Sequence, residues 1–337
     1  MRYGKWTALA VLLLAMLLLC SCVTSLTPDI SYHDEEFFAM DTVMNLRVYV
    51  DHDGSVGGAL RRTVEELDGA LSATAESSAL SQLNSSGETD NAHIAALCKL
   101  GQELSARTGG ALDITLLPAS RAWGFPDERY RVPELAELSE LQTVTGMDHL
   151  HLAEGVVRLD SGCAVDLGAL AKGYAADLCR AQLEDRKLSG ILSLGGNIQT
   201  VGDKPDGSDW VVGIQDPDNA NAFALELTFR GSKAVVTSGD YQRFFEQDGR
   251  RYCHILSPET LHPVRNGLRS VTVVADSGAL ADGLSTALFV MGQERGLELW
   301  RSSHDFEAIF ISADGTITVT EGLADMVSRC EFTVVKR

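Results

Sequence analysis

Apolar and polar residues alternate through TVMNLRVYV (42–50), the period-two pattern of a half-buried strand. The next stretch, VGGALRRTVEELDGAL, changes to a spacing of three and four, with Leu60, Val64, Leu67 and Leu71 on one helical face. A second helix carries Ile94, Leu97 and Leu104 and stops at the glycines of TGG (108–110). ALDITLLP then reads as a strand-like piece, and RAWGFPDERYRVP as a loop bounded by prolines. A short helix near 133–142 and a hairpin near 149–159 follow. AVDLGALAKGYAADL (164–178) opens another helix, with Leu170, Tyr174 and Leu178 as its expected buried stripe. After ILSLGGNIQTVG (191–202) the pattern is mostly strand: DWVVGIQ, FALELTF, AVVTSG, RRYCHIL and SVTVVA. The helix GALADGLSTALFVMG (278–292) interrupts these before a terminal helix and two short strands. Strands and helices mix without strict βαβ alternation, which predicts an α+β fold. No internal repeat or linker divides the chain after residue 37, so one unit is expected over 37–337.

The N-terminus follows a different rule. Arg2 and Lys5 precede the unbroken apolar run ALAVLLLAMLLL (8–19), which is shorter than a membrane span and leads straight into LCSC. This predicts a bacterial lipoprotein signal over 1–21, with Cys22 as the lipidated first residue of the mature chain; Cys20, two before it, is larger than usual there. The polar, acidic stretch 22–36 reads as a tether. The formal charge is −19, and removing Arg2 and Lys5 makes it −21. Such a surface repels nucleic acid and anionic headgroups, so membrane attachment must come from the acyl chains. Composition is 45% hydrophobic, enough for a substantial core. Cys98, Cys163, Cys179, Cys253 and Cys330 are odd in number and scattered, and are expected to be free thiols with no zinc site.

The dinucleotide fingerprint, the Walker loop, the zincin helix and the nucleophile elbow are all absent. Polar residues at element ends remain. Asp282 and Thr286 are four apart on a helix otherwise flanked by leucines, a hard-oxygen pair suited to Mg²⁺ that is also bound by phosphate. The same two residues could equally be a capping acid and a back-bonded threonine. Asp166 stands just before a helix whose first residues, Gly168 and Ala169, allow close approach, and a helix start suits a phosphate. Asp113 is an acid inside an apolar run and needs a partner if buried. His254 ends a strand before a proline turn, and Gly195–Gly196 makes a tight turn. Trp123 reads as packing.

Taken together, AMDTVM, SALSQLN, GGALDIT, DLGALAKGYAAD, SLGGN, TSGDYQRFFEQDGRRYCHILSPETLHPV and ADGLSTALFVMG, in that order, resemble the ApbE-like flavin transferases over roughly 37–337. The resemblance implies an extracytoplasmic lipoprotein that takes FAD as substrate and attaches FMN to acceptor flavoproteins. It implies Mg²⁺ at Asp282, Thr286 and the main-chain oxygen of Ala169. It places the flavin nucleotide at Met40, Thr74, Ala111, Leu112, Asp113, Asp166, Lys172 and Leu256. Thr74 departs from the pattern, since relatives often carry tyrosine or asparagine there, and threonine offers less surface for stacking. The implied reaction is attack of an acceptor threonine hydroxyl on FAD, releasing AMP. His254, with an expected near-neutral pKa, is the candidate base. Two other functions use the same residues: hydrolysis of FAD to FMN and AMP, and flavin binding without catalysis.

Overall fold

The computed structural model describes residues 30–337, and the expected signal, with Cys22, lies outside them. Nine strands form the main sheet: β1 (Tyr32–Ala39), β2 (Thr42–Tyr49), β3 (Gly190–Leu194), β4 (Asn197–Val201), β5 (Lys233–Gly239), β6 (Leu268–Ala275), β7 (Phe306–Ser312), β8 (Ile317–Thr320) and β9 (Thr333–Val335). Their spatial order is their chain order, antiparallel throughout except for the parallel last pair. β1 begins inside the stretch expected to be a tether. Its register against β2 runs Tyr32↔Tyr49 to Ala39↔Thr42, burying Phe37 and Ala39, so the folded unit starts earlier than residue 37. Acidic composition masked that alternation.

Among the described residues, eight helices complete the α+β architecture: α1 (Ser55–Leu71), α2 (Ala79–Ser86), α3 (Ala92–Arg107), α4 (Leu117–Trp123), α5 (Leu135–Leu141), α6 (Gly168–Asp185), α7 (Gly278–Met291) and α8 (Gln293–Arg301). The first six are inserted between β2 and β3. α7 packs across β5 and β6, and α6 packs on α7 and β4. α1 buries the four residues of its predicted stripe. α6 is rotated from its expected stripe: Leu170 is buried, but Tyr174 and Leu178 are only half-covered, and Gly173, Ala176 and Cys179 face inward instead. Small residues there let two helices approach closely. α4 occupies residues assigned to strand and loop, with Pro118 in its first turn, where a missing N–H costs nothing.

The sheet centre is buried on both faces. Val236, Val273 and Phe310 pack toward the helices, while Val235, Val274 and Ile309 pack under a second sheet formed by Trp210–Asp216, Asn219–Phe229 and Val327–Ser328. A satellite core gathers Trp123, Phe125, Leu138, Leu256 and Leu261 around the hairpin Phe244–Gln247/Arg250–Cys253. Trp123 is fully buried and donates its indole N–H to Leu261 O. The five cysteines among the described residues are free. No described helix is long and apolar enough to cross a membrane.

Candidate active site

Two glycines decide how α6 and α7 cross. A Cβ on Gly173 would lie 2.1 Å from Gly278 O, and one on Gly278 would lie 2.5 Å from Gly173 O. Asp177 of α6 locks the crossing by accepting from Ser277 Oγ and from the N–H groups of Gly278 and Ala279 at the start of α7. This contact brings the Asp282 side chain against α6. Its Oδ2 accepts the Gly173 N–H at 2.8 Å. In a regular helix that N–H closes on Ala169 O. Ala169 therefore competes with a carboxylate for its donor, and its carbonyl is the less firmly held.

Asp282 is nearly inaccessible to solvent, and burial raises its pKa. Lys172, the Gly173 N–H and the Asn197 amide oppose that rise. Asn197 is close enough to favour the charged form, yet its buried Nδ2 has no hydrogen-bond partner within 3.5 Å. One turn along α7, Thr286 Oγ1 lies 3.1 Å from Ser238 Oγ on β5, which also contacts Ser285 Oγ at 2.8 Å. A buried carboxylate, hydroxyls and a loosely held carbonyl make up a hard-oxygen donor set, and the orphaned Asn197 Nδ2 adds a hydrogen-bond donor beside it. No cluster of three His, Cys, Asp or Glu accompanies it among the described residues. The set fits a cation that keeps part of its coordination for water or phosphate, as Mg²⁺ does.

Lys172 also faces His254, expected at the end of strand RRYCHIL but lying one residue beyond the observed strand Arg250–Cys253, in an irregular segment. No strand alternation carries on from His254 to Leu256. Leu256 instead bridges to Pro263 and is buried in the satellite core. The imidazole is held by Arg243, whose carbonyl accepts the His254 N–H at 3.0 Å and faces Nδ1 at 3.2 Å. A carbonyl opposite Nδ1 requires the proton there, which leaves Nε2 as an acceptor. Part of the residue remains exposed, but the ring lies inward, edge-on to Phe125. Desolvation, then the Arg243 and Lys172 cations, lower its pKa to about 4, so the near-neutral expectation is corrected.

Of the other expected flavin positions, Asp166 and the segment Ala111–Asp113 adjoin α6 and α7, while Met40 and Thr74 sit in turns between other elements. Asp166 caps the start of α6 by accepting the Gly168 N–H, and its own N–H goes to Ile114 O, joining the GGALDIT segment to that helix. Leu112 is buried and approaches Gly283 of α7, so ligand contact there falls to the main chain. Asp113 accepts both the N–H and the hydroxyl of Thr115 on one oxygen; burial raises its pKa against those bonds. Ala111 is buried beside it. Met40 occupies the two-residue β1–β2 turn at φ 49°, a left-handed conformation that non-glycine residues adopt only when surroundings demand it. Thr74 is exposed between α1 and α2, its hydroxyl 3.3 Å from Ser72 Oγ. Asn197, Ser238, Asp177 and Arg243 escaped sequence reasoning. Asn197 directly follows the Gly195–Gly196 turn and Ser238 sits in TSG, both inside motifs already noticed.

A helix start, a cluster of oxygen donors and an imidazole gather around α6 and α7, an arrangement suited to a group-transfer enzyme. The ApbE family model matches residues 40–310, and the chain belongs to the ApbE family. It is a flavin transferase of that family. The FAD:protein FMN transferase of Vibrio cholerae is 34% identical over 271 residues, covering 77% of this chain and 81% of that protein. The ApbE protein of Thermotoga maritima superposes with a TM-score of 0.83 at 30% identity, covering 89% of this chain and all of the other. The flavinyl transferase ApbE of Pseudomonas stutzeri gives 0.79 at 30% identity, covering 90% and 98%.

Proposed function

We propose that this protein transfers FMN from FAD to a threonine hydroxyl of acceptor flavoproteins, with Mg²⁺, on the extracytoplasmic side of a membrane to which lipid on Cys22 anchors it. The observation that carries the chemistry is the Gly173 N–H donated to Asp282 Oδ2, in competition with Ala169 O. It sets the buried Asp282 carboxylate, one turn before Thr286, against the helix that carries the Ala169 carbonyl. Asp282, Thr286 and the Ala169 carbonyl would hold the metal. Bound there, Mg²⁺ supplies Lewis-acid neutralisation of the pyrophosphate and the departing AMP.

The chain's own residues do the rest. The first turn of α6 turns its positive dipole end toward phosphate, with the Asp166 carboxylate accepting the Gly168 N–H at its start. Lys172 adds a cation between Asp282 and His254. His254 Nε2 accepts the proton of the threonine hydroxyl as its oxygen bonds to the FMN-side phosphorus. The bond from that phosphorus to the bridging oxygen breaks, and AMP leaves with the oxygen. A base with a low pKa is neutral, and therefore ready, at any physiological pH.

Incubating the protein with FAD, Mg²⁺ and a recombinant FMN-binding acceptor domain tests this reading. Acceptor-bound FMN with equimolar AMP is expected. Free FMN with AMP would assign hydrolysis instead, and no AMP would remove catalysis.

A further inference from the structure

The main sheet has a notch at the rim of the candidate site. β5 pairs with β6 along Ala234–Gly239 but with β4 only at Lys233–Val235. On the far side, β2 meets β3 only from Met44 onward. The β3–β4 hairpin ends at Gly195–Gly196, level with the start of β2 at Thr42, and the end of β5 runs past it with no strand paired on that side. Asp240 donates its N–H to Arg269 O at the end of β6. Alternation along the strand then turns the main-chain groups of Thr237 and Gly239 the other way, into the notch. The 2.8 Å contact between Thr237 Oγ1 and Thr272 Oγ1 agrees, since non-hydrogen-bonded pairs bring side chains closest. In the notch, the Thr237 carbonyl accepts a 3.3 Å bond from the Gln242 side-chain amide, where the N–H of an adjoining strand would otherwise sit.

The two sides of this open edge differ in chemistry. Ser238 faces the helices and touches Thr286. Thr237 faces the opposite way, onto a cavity of about 110 Å³ lined by Ile198, Val212, Val235 and Tyr241. Gly196 stands between them with φ +93° and no heavy atom within 4 Å of a Cβ position, so the rim carries no side chain. On the cavity side of the sheet, Phe38 and Val43 lie directly opposite each other on β1 and β2 and are well exposed.

We propose that the acceptor polypeptide docks here, adding to β5 as an extended strand along Val236–Gly239. Its threonine then lies on the Ser238 side, toward Asp282 and Thr286, and the residues before and after it lie over the cavity. This inference rests on the transferase reading and names how its protein substrate is held. Main-chain pairing holds any extended segment, whereas the cavity admits only small apolar neighbours of the threonine. The Gln242 amide yields its place on Thr237 O to an acceptor N–H.

The test uses the full chain with FAD and Mg²⁺, and a recombinant FMN-binding domain as probe, both intact and with its acceptor threonine changed to alanine. Hydrogen exchange at the Thr237 and Gly239 amides should slow at least tenfold when the alanine form binds. Gln242→Trp, a substitution at an exposed position, should fill the notch and cut transfer at least tenfold while FAD affinity and melting temperature stay at parent values. Unprotected amides, or a Gln242→Trp variant that transfers FMN at the parent rate, would overturn the docking edge while leaving the transferase reading intact. A parent protein that releases no AMP from FAD would remove that reading and this inference together.

Discussion

Asp282 is a carboxylate buried where ionisation is disfavoured, beside an amide with no partner and a carbonyl competing for its donor. A side chain kept for stability alone would not need that arrangement. Asp282→Asn keeps its shape and an acceptor for Gly173 but removes the charge, so melting temperature should hold or rise while transfer falls about 10²-fold or more. Full activity at low magnesium in that variant would remove the metal assignment. His254→Ala should leave FAD affinity unchanged and lower transfer about 10²–10⁴-fold. The folded pKa lies below the ordinary 6.5, so the ring stays neutral until pH falls toward about 4. The acid limb of kcat/KM, which reports the free enzyme, is expected there. Arg243→Gln removes one of the cations that lower this pKa, so it should move the limb upward; a limb already at 6.5 in the parent would contradict the cause. Thr74→Tyr tests the border of the site. A ring there should tighten FAD binding up to roughly tenfold by stacking, and unchanged affinity by calorimetry would place residue 74 outside the pocket.

At the scale of elements, the crossing of α6 and α7 matters most. Gly173→Ala would drive a Cβ to 2.1 Å from a main-chain oxygen and force the helices apart. A loss of about 1–3 kcal/mol in stability is expected, with Mg²⁺-dependent activity falling further than stability explains. Parent activity with parent melting temperature would show that the crossing is slack. The pattern of the sequence made both helices and the Asp282/Thr286 face legible, because period and spacing are local. Their contact was not legible, since neither glycine reads as a packing residue until the partner backbone is seen. α4 and β1 were missed for a related reason. Pro118 and the acids of β1 signal loop locally, and tertiary contacts overrode both. Ser78, which caps α2 through the Ser81 N–H, was a local signal that passed unread. His254 was legible as a candidate, but its pKa was not, because Phe125, Lys172 and Arg243 arrive from three other segments.

Across the whole molecule, consecutive strands of the sheet are neighbours in space, so the fold is built from local returns with one long helical insertion. That insertion supplies α6 and the GGALDIT segment, while α7 and β5 come from the second half. The site exists only once both parts have closed on each other. Charge works at the same scale. At −19, the protein gains no attraction to anionic membranes, so the proposed residence at a bilayer would have to come from lipid. A single acyl chain binds only marginally, and stable anchoring takes a second, which an N-terminal cysteine can carry on its sulfur and its amine. Cys22→Ser should therefore shift the protein from the membrane fraction to the soluble one or leave the signal unprocessed. FMN transfer by the isolated protein in solution should persist, because β1 begins ten residues beyond Cys22 and the candidate site is built from residues after it. Lipid labelling that survives Cys22→Ser would assign the anchor to Cys20 or to an uncleaved apolar segment.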